Sequence, residues 1–599
     1  MTNLNFGIIG NCRSSALVSD KGSIDWCCLP EFDSSSIFAK LLDEKIGGSF
    51  SIQTTDDYKI NQYYMEDTAI LITKFDNGKD AFELIDFMPR YGEEINGFYS
   101  PPEIIRYLRP VSGSPSFYVK YDPKLEYALE ETRSYVKEDF IISVTDTKKF
   151  DSTFLYTNLD KDKVLNGAEI CITEEAFFLL TYNEKIFVPT LKKIELELQR
   201  TKTYWLNWSE RTTTYKSYAQ QISRSAITLK LLSYEKTGAV LAAATTSLPE
   251  TIGEVRNWDY RFCWIRDASM VVKIVHELGH FEMARDYLRF IISLVPDKDE
   301  KLQIMYGING EKKLTEEMLE HLSGYQDSKP VRIGNAAYSQ RQNDIYGILM
   351  DVIYQQLTHF SNNIENGEEL WNITKGIVWV VQQHWREPDK GIWEFRTEER
   401  HFTFSKVLCW TAIDRAIKVA SLLDKKAKAQ KWIPLADAIK KDVFENAWNN
   451  DCNAFSQSYG SSDLDASVLL MESYGIIAAS DPRYISTVHA IEKELSHKGL
   501  LYRYKNKDDF GLPSSSFTIC TFWFINSLYK IGEGKKALSL FNQLLSYSNH
   551  LGLFSEDIDF ETKRLLGNFP QAYSHLALIE TAINLSNVTN QERLKDALS

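Results

Sequence analysis

The chain has 599 residues, 44% apolar and 25% charged, the mixture of an ordinary globular protein and not of a disordered or collagen-like one. At ~100–200 residues per domain it holds two or more domains, or one small and one large, and a core of that size needs no disulfide or metal staple. The 68 basic and 82 acidic residues leave a net charge of −14, which disfavours nucleic acid or an anionic membrane as partner, because phosphate binding needs a basic face.

The first 14 residues are polar and lack the basic start and apolar core of a signal peptide, and no run of 18 apolar residues follows anywhere. Eight sparse cysteines without a CxxC pair read as reduced thiols, so the expectation is a cytoplasmic protein. Residues 1–190 read mainly as strands. Segments 67–75, 81–87, 103–111, 115–121 and 140–145 are short and rich in Ile, Phe, Tyr and Val, with Gly, Asp, Asn and Pro between them. That spacing predicts an antiparallel β-sandwich, with Asp76-Asn77-Gly78 as a hairpin turn. Residues 191–215 form a helical linker, with Leu191, Ile194, Leu198, Tyr204, Leu206 and Trp208 as its apolar positions.

The helical period then dominates residues 216–599. Twelve helical segments start near 217, 267, 281, 342, 366, 404, 427, 463, 480, 517, 533 and 569. The stretch around Leu278-Gly279 repeats around Ile531-Gly532, and each reads as a helix, a glycine and a second helix. About six such hairpins make an open solenoid or a closed barrel, and the long uneven loops 242–266 and 296–336 favour a closed (α/α)6 barrel. His276-Glu277-Leu278-Gly279-His280 fits the zinc-protease pattern, but the repeat puts Gly279 at a helix end and His280 off the helical face, so no metal site is expected.

The densest chemistry lies between Arg256 and Asp267, where Trp258, Tyr260 and Trp264 alternate with Arg256, Asp259, Arg261, Arg266 and Asp267. Aromatic faces and forked polar groups suit sugars; the same residues also suit a buried ion-pair network. Two further loops place acids beside aromatics, at Trp393-Glu394 and Phe554-Ser555-Glu556. Both precede predicted helices, so a barrel can gather them at one mouth. A carboxyl against Trp is partly desolvated and suits general-acid work; one in a wetter loop can stay ionised as a base. Two such carboxylates are the minimum apparatus for most glycoside hydrolysis.

At these residues the sequence resembles glycoside hydrolase family 15, the glucoamylase and trehalase family, over nearly its whole length. The resemblance rests on Gly10-Asn11-Cys12-Arg13, Gly22-Ser23-Ile24-Asp25-Trp26, the stretch 258–267, Pro330-Val331-Arg332-Ile333-Gly334-Asn335, Gly391-Ile392-Trp393-Glu394, and 551–575. It implies a β-sandwich followed by an (α/α)6 barrel and an inverting exo-acting hydrolase of α-glucosides, with no cofactor. By resemblance Glu394 matches the general acid and Glu556 the general base. Arg266 and Asp267 match the pair holding the terminal glucose, Tyr260, Trp264 and Trp393 the aromatics around it, and Arg503 a further sugar-binding arginine.

Glucoamylase-like release of β-D-glucose from maltose and short α-glucans is the first expectation, α,α-trehalase the alternative, and isomaltose or dextran fragments the third. A disaccharide phosphorylase or a non-catalytic carbohydrate-binding relic lies outside that class. The chain departs from the family's usual pattern at Ser514 and Asn343, in loops expected near the pocket rim, and at Phe395, where the resemblance implies an altered subsite for the leaving group. Asp25–Trp26 are candidate rim residues from the first domain, and a homo-oligomer is compatible with the sequence.

Overall fold

The computed structural model of the protein describes residues 3–93, 97–146, 151–294, 302–359, 367–396 and 398–598. Two antiparallel sheets occupy the first part of the chain. One has the order 6–10, 15–19, 23–28, 49–53, 116–122 and 170–171, with 36–38 paired to 23–28. The other runs 132–136, 141–145, 152–157, 176–182, 103–112, 81–87, 71–76 and 59–64. All five expected segments contain a strand, although the first begins at Leu71, after a turn at 67–70. Gly78 takes a positive φ in the predicted turn, and the strands on either side pair Asp76 with Ala81.

In the eight-stranded sheet, strands 152–157 and 176–182 are apolar on both faces and so lack the polar alternation that would have marked them. Phe178 and Leu180 face the space between the sheets, whereas Phe177 and Leu179 face away. Helix Leu191–Glu210 covers that second face with Ile194 and Leu198. Thr190 caps it, its hydroxyl accepting from the Lys193 amide at 3.3 Å. Farther along, Trp205 is fully buried, whereas Leu206 is 39% exposed, so the stripe turns one residue earlier than predicted. Arg106 stitches the sheets from inside: it pairs with Asp86 at 2.8 Å and donates to the carbonyls of Phe50 and Gly22 on the opposite sheet.

Glu103 opens one of these strands at 5% exposure. Burial pushes its carboxyl up to about 7; Lys193 opposes the shift, and Glu197 and Glu184 add to it. The folded state therefore holds a proton that the unfolded chain releases near its ordinary value of 4.5. Stability contributed by this group is full below that value and is lost as pH rises to about 7. Glu103→Gln is expected to raise the unfolding midpoint at pH 8 and to leave it unchanged at pH 4, a gain of up to about 3 kcal/mol read by thermal denaturation at the two pH values. Equal shifts at both would show that the charge is not the cause.

The remainder is an (α/α)6 barrel. Inner helices Ile265–Glu277, Asp344–His359, Thr403–Leu422, Thr518–Lys530 and Ala572–Leu598, with the short 3-10 helix Ala466–Met471 in fourth place, contact one another in sequence and close into a ring. The outer layer is Ala219–Leu231, Phe281–Leu294, Gly367–His384, Lys426–Asn446, Pro482–Leu495 and Gly534–Leu545. All twelve anticipated segments are present; only the one near 463 is 3-10. The inner helices are buried nearly all round: in Thr518–Lys530 every residue from Thr518 to Leu528 is buried.

The internal echo is a repeated helix stop. The His280 and Glu533 amides donate five residues back, to Val275 and Leu528, across Gly279 and Gly532 at φ 97° and 95°. His280 consequently leaves the helical face and stacks on Trp208 at 3.8 Å, while His276 packs against Phe281 and His359. The two histidines of the zinc-like pattern have separate surroundings. No helix among the described residues is long and apolar enough to cross a membrane.

Candidate active site

Every inner helix begins at the same end of the ring, so the loops that precede these helices converge there. Short bridges tie them together: Ala243 to Gln571, Thr246 to Asp259, Asp465 to Tyr504, and Ser516–Phe517 to Asp557–Ile558. Between them lies a cleft of ≈ 790 Å³, counting space open to solvent. Its walls include Tyr260, Trp264, Arg266, Asp267, Trp393, Glu394 and Arg503, seven of the eight predicted site residues.

The eighth, Glu556, stands behind the wall at 1% exposure. The Tyr260 hydroxyl, which faces the cleft, donates to its Oε1 at 2.5 Å, and the Asn568 amide donates to Oε2 at 3.1 Å. Burial and the nearby charge of Glu250 hold the Glu556 carboxyl above the usual range, while Tyr260, Asn568 and Arg503 pull it down. Gly567 has a positive φ, and a Cβ there would lie 2.7 Å from both Cβ and Oε2 of Glu556, so only glycine leaves the carboxylate its place.

Glu394 lies on the other side of the Tyr260–Trp264 pair, whose rings meet edge to face at 5.4 Å. The Trp264 indole donates to Glu394 Oε1 at 2.7 Å, and Arg266 Nη2 is 3.5 Å from the same oxygen. The order of burial reverses the sequence expectation. Glu394, the acid beside Trp, keeps a side chain 22% exposed, and Glu556 is the enclosed one. Loop 551–571 folds back over itself, its Glu556 and Asn568 amide and carbonyl paired, and this seals Glu556 from bulk water. Ionisation of Glu556 therefore depends on fixed donors, not on solvent.

Arg266 and Asp267 occupy the first turn of an inner helix, 5% and 6% exposed and 3.3 Å apart. Arg266 also donates to the Tyr573 hydroxyl at 2.6 Å and to Gln342 Oε1 at 3.0 Å, and lies 3.6 Å from Asp344. Burial pushes Asp267 up to about 6 against the pull of Arg266. Trp393 is fixed by its indole donating to Asp465 at 2.8 Å and by an edge contact to Phe517. Arg503 pairs with Glu250 at 2.7 Å.

The cluster 256–267 serves both readings offered for it. Arg256, Trp258, Tyr260, Trp264, Arg266 and Asp267 line the cleft, and Asp259 and Arg261 form a buried brace. Arg261 pairs with Asp259 at 2.7 Å, donates to the Ser34 carbonyl at 2.9 Å and lies between Trp26 and Tyr127. Trp26 donates to the Ala244 carbonyl at 2.9 Å. The first domain thus supports the cleft from behind. Among the described residues none before Ala242 lines it, and Asp25 and Trp26 are buried, not at the rim.

The mouth is cross-braced. Arg256 grips Asp508 with both ends of its fork at 2.5 and 2.7 Å, Tyr504 donates to Asp508, and the Arg396 amide donates to Asp509 at 2.5 Å. Trp258 lies between the guanidinium groups of Arg332 and Arg396, at 4.3 and 4.9 Å, with Phe510 at its edge. Phe395 lines the cleft and stacks on Tyr504 and Phe402. Ser514 is exposed beside Thr251 and Glu254, and Asn343 is buried under the floor, away from the rim where it was expected.

Sequence reasoning missed Glu250, Tyr573, Asp508 and Gln342. Glu250 and Tyr573 lie inside the loop and the motif already singled out; nothing local marks Asp508 or Gln342.

A family model described as glycosyl hydrolases family 15 matches residues 216–583, and one described as trehalase-like, N-terminal matches residues 5–157. A protein named trehalase from Thermoplasma volcanium is 36% identical over 586 residues, spanning 97% of this chain and 93% of its own. Another trehalase, from Mycobacterium tuberculosis, is 36% identical over 613 residues, covering 97% and 89%. The solved structure of a bacterial glucoamylase complexed with acarbose superposes with a TM-score of 0.70 at 13% identity, covering 99% of this chain and 96% of that one.

Proposed function

Because the chain belongs to glycosyl hydrolase family 15, we propose that its cleft hydrolyses α,α-trehalose with inversion, Glu394 as general acid and Glu556 as general base. The observation that carries this reading is the pair of carboxylates on either side of the Tyr260–Trp264 pair, each oriented by a separate donor set. Glu394 protonates the glycosidic oxygen as its bond to the anomeric carbon breaks. Glu556 takes a proton from the water that attacks that carbon from the other face. Arg266 and Asp267 hold hydroxyls of the terminal glucose, with Arg503, Trp393, Tyr260 and Trp264 around it. The charge that develops on the sugar meets the carboxylate of Glu556 and the ring of Tyr260.

Trehalose replaces maltose as first choice. Maltose and trehalose differ only in the leaving group, and relatives named trehalase match nearly the whole chain at 36% identity. The braces across the mouth favour one leaving sugar over a long glucan. Proton NMR of fresh product tests both points on trehalose, maltose and isomaltose. Inversion of trehalose releases α- and β-glucose in equal amounts, because only one anomeric carbon is attacked. Two α-glucoses would overturn Glu556 as base, and preference for maltose would restore the glucoamylase reading.

Tyr260→Phe removes a donor that lowers the pKa of Glu556. The base then ionises at higher pH, so the acid limb of the kcat/KM profile is expected to move upward. An unmoved limb would separate Tyr260 from the base.

A further inference from the structure

The general acid sits on an unusual backbone. Glu394 has φ 60°, the left-handed region, within a turn closed by its own amide to the Gly391 carbonyl and by the Phe395 amide to Lys390, both at 3.2 Å. A non-glycine residue stays there only where its surroundings over-determine it. Segment 340–343 runs beside this turn. The Lys390 amide donates to the Arg341 carbonyl at 3.1 Å, and the Asn343 amide donates to Asp389 at 2.8 Å. These two contacts fix the foot of the turn. From this segment the Gln340 side chain reaches residue 394 itself, its Nε2 donating to the Glu394 carbonyl at 3.2 Å.

Gln340 is not alone. Gln342 Nε2 donates to Gln340 Oε1 at 3.3 Å, and Arg266 Nη1 donates to Gln342 Oε1 at 3.0 Å. The chemistry of the two ends fixes the direction of this chain. A guanidinium can only donate, so Gln342 must turn its oxygen to Arg266 and its amide to Gln340. A carbonyl can only accept, so Gln340 must turn its amide to Glu394. Neither amide can flip without placing donor against donor at one end and acceptor against acceptor at the other. Arg266 also lies 3.5 Å from the Glu394 carboxylate, so the arginine is linked to both ends of the acid.

We infer that Gln340 is a positioning residue for the general acid, holding the Glu394 backbone in its left-handed turn at the end of a one-way hydrogen-bond chain from Arg266. The inference rests on Glu394 being the acid. Through this chain the group that holds the sugar also fixes the peptide from which the proton donor projects.

The test compares two leaving groups. Trehalose needs protonation of its leaving oxygen, whereas α-D-glucosyl fluoride expels fluoride with little help from an acid. Gln340→Leu, which keeps the shape and removes the amide, is expected to lower kcat on trehalose about tenfold with KM little changed, and to leave glucosyl fluoride hydrolysis within about twofold. Gln340→Glu keeps an acceptor for Gln342 but turns an oxygen to the Glu394 carbonyl, and should show the same selective loss if the leucine variant fails to fold. Glu394→Gln is the reference and should lose trehalose turnover far more than fluoride turnover. A selective loss in Glu394→Gln without one in the Gln340 variants overturns the positioning role alone. Equal loss of both substrates in Glu394→Gln overturns the acid assignment beneath it. If trehalose is not cleaved by the unaltered protein, the disaccharide that is cleaved takes its place in the comparison.

Discussion

Glu556→Gln is expected to lower kcat on trehalose by about 10³-fold while KM changes by less than about threefold. The carboxylate touches neither Arg266 nor Asp267, so the groups proposed to hold the sugar remain in place. What is lost is the acceptor proposed for the proton of the attacking water. The substitution has a second, smaller effect. The Tyr260 hydroxyl and the Asn568 amide both donate to Glu556, one to each oxygen, and a glutamine can accept from only one of them without rearrangement. A buried donor left facing an amide costs about 1–3 kcal/mol, so some loss of stability should accompany the loss of rate. Azide separates the two effects, because it attacks without giving up a proton. It should restore turnover in Glu556→Gln and form β-glucosyl azide, and should do nothing for Glu394→Gln. Rescue of Glu394→Gln instead would exchange the two assignments, and turnover within about tenfold of the unaltered protein would remove Glu556 from the mechanism.

The parts of this site that were legible in the sequence are those in which the chemistry is local. Arg266, Asp267 and the aromatics before them fall within a few residues, at the start of a helix whose apolar period is plain. Glycine after an apolar helix was enough to foresee the stops at Gly279 and Gly532, and with them the separation of His276 from His280. The strands from 6 to 53 were not legible, because they carry Gly, Ser and Cys and are covered on both faces. Of the two carboxylates, Glu556 is the one whose surroundings the sequence did not disclose. Glu394 beside Trp is partly desolvated as expected, but the wetter setting expected for the second acid is not found, because enclosure is set by contacts far apart in the chain, and loop 551–571 and Tyr260 together close over Glu556. The Gln340–Gln342 chain carries no charge and no motif. Its meaning arises only where residues 266, 342 and 394, distant in sequence, meet.

Arg266 draws together more of the site than any other residue described here, and its replacement should show a pH dependence that reveals why. Its guanidinium is within 3.6 Å of Asp267, Asp344 and Glu394, and it also donates to Tyr573 and Gln342. Burial raises both Asp267 and Asp344, and Arg266 is the largest of the influences that oppose that rise in each. Arg266→Leu leaves these carboxyls enclosed with no cation, and the cost of stranding buried charge is about 3–5 kcal/mol. The cost is avoided when they are protonated. Their folded pKa values rise further in the variant, so the destabilisation should be small near pH 4 and grow as pH increases through the neutral range. Thermal denaturation of both proteins from pH 4 to 8 reads this directly. Adding Asp344→Asn should recover part of the lost stability at pH 8 without recovering activity, because one stranded charge is removed while the group proposed to hold the sugar is still missing. Arg266→Lys should likewise recover stability more than turnover, since an ammonium neutralises the carboxylates but cannot span Tyr573 and Gln342 as the planar fork does. A destabilisation of equal size at every pH would mean that Arg266 supports the fold through packing and neutral hydrogen bonds, and that the carboxylates around it are not held in check by its charge.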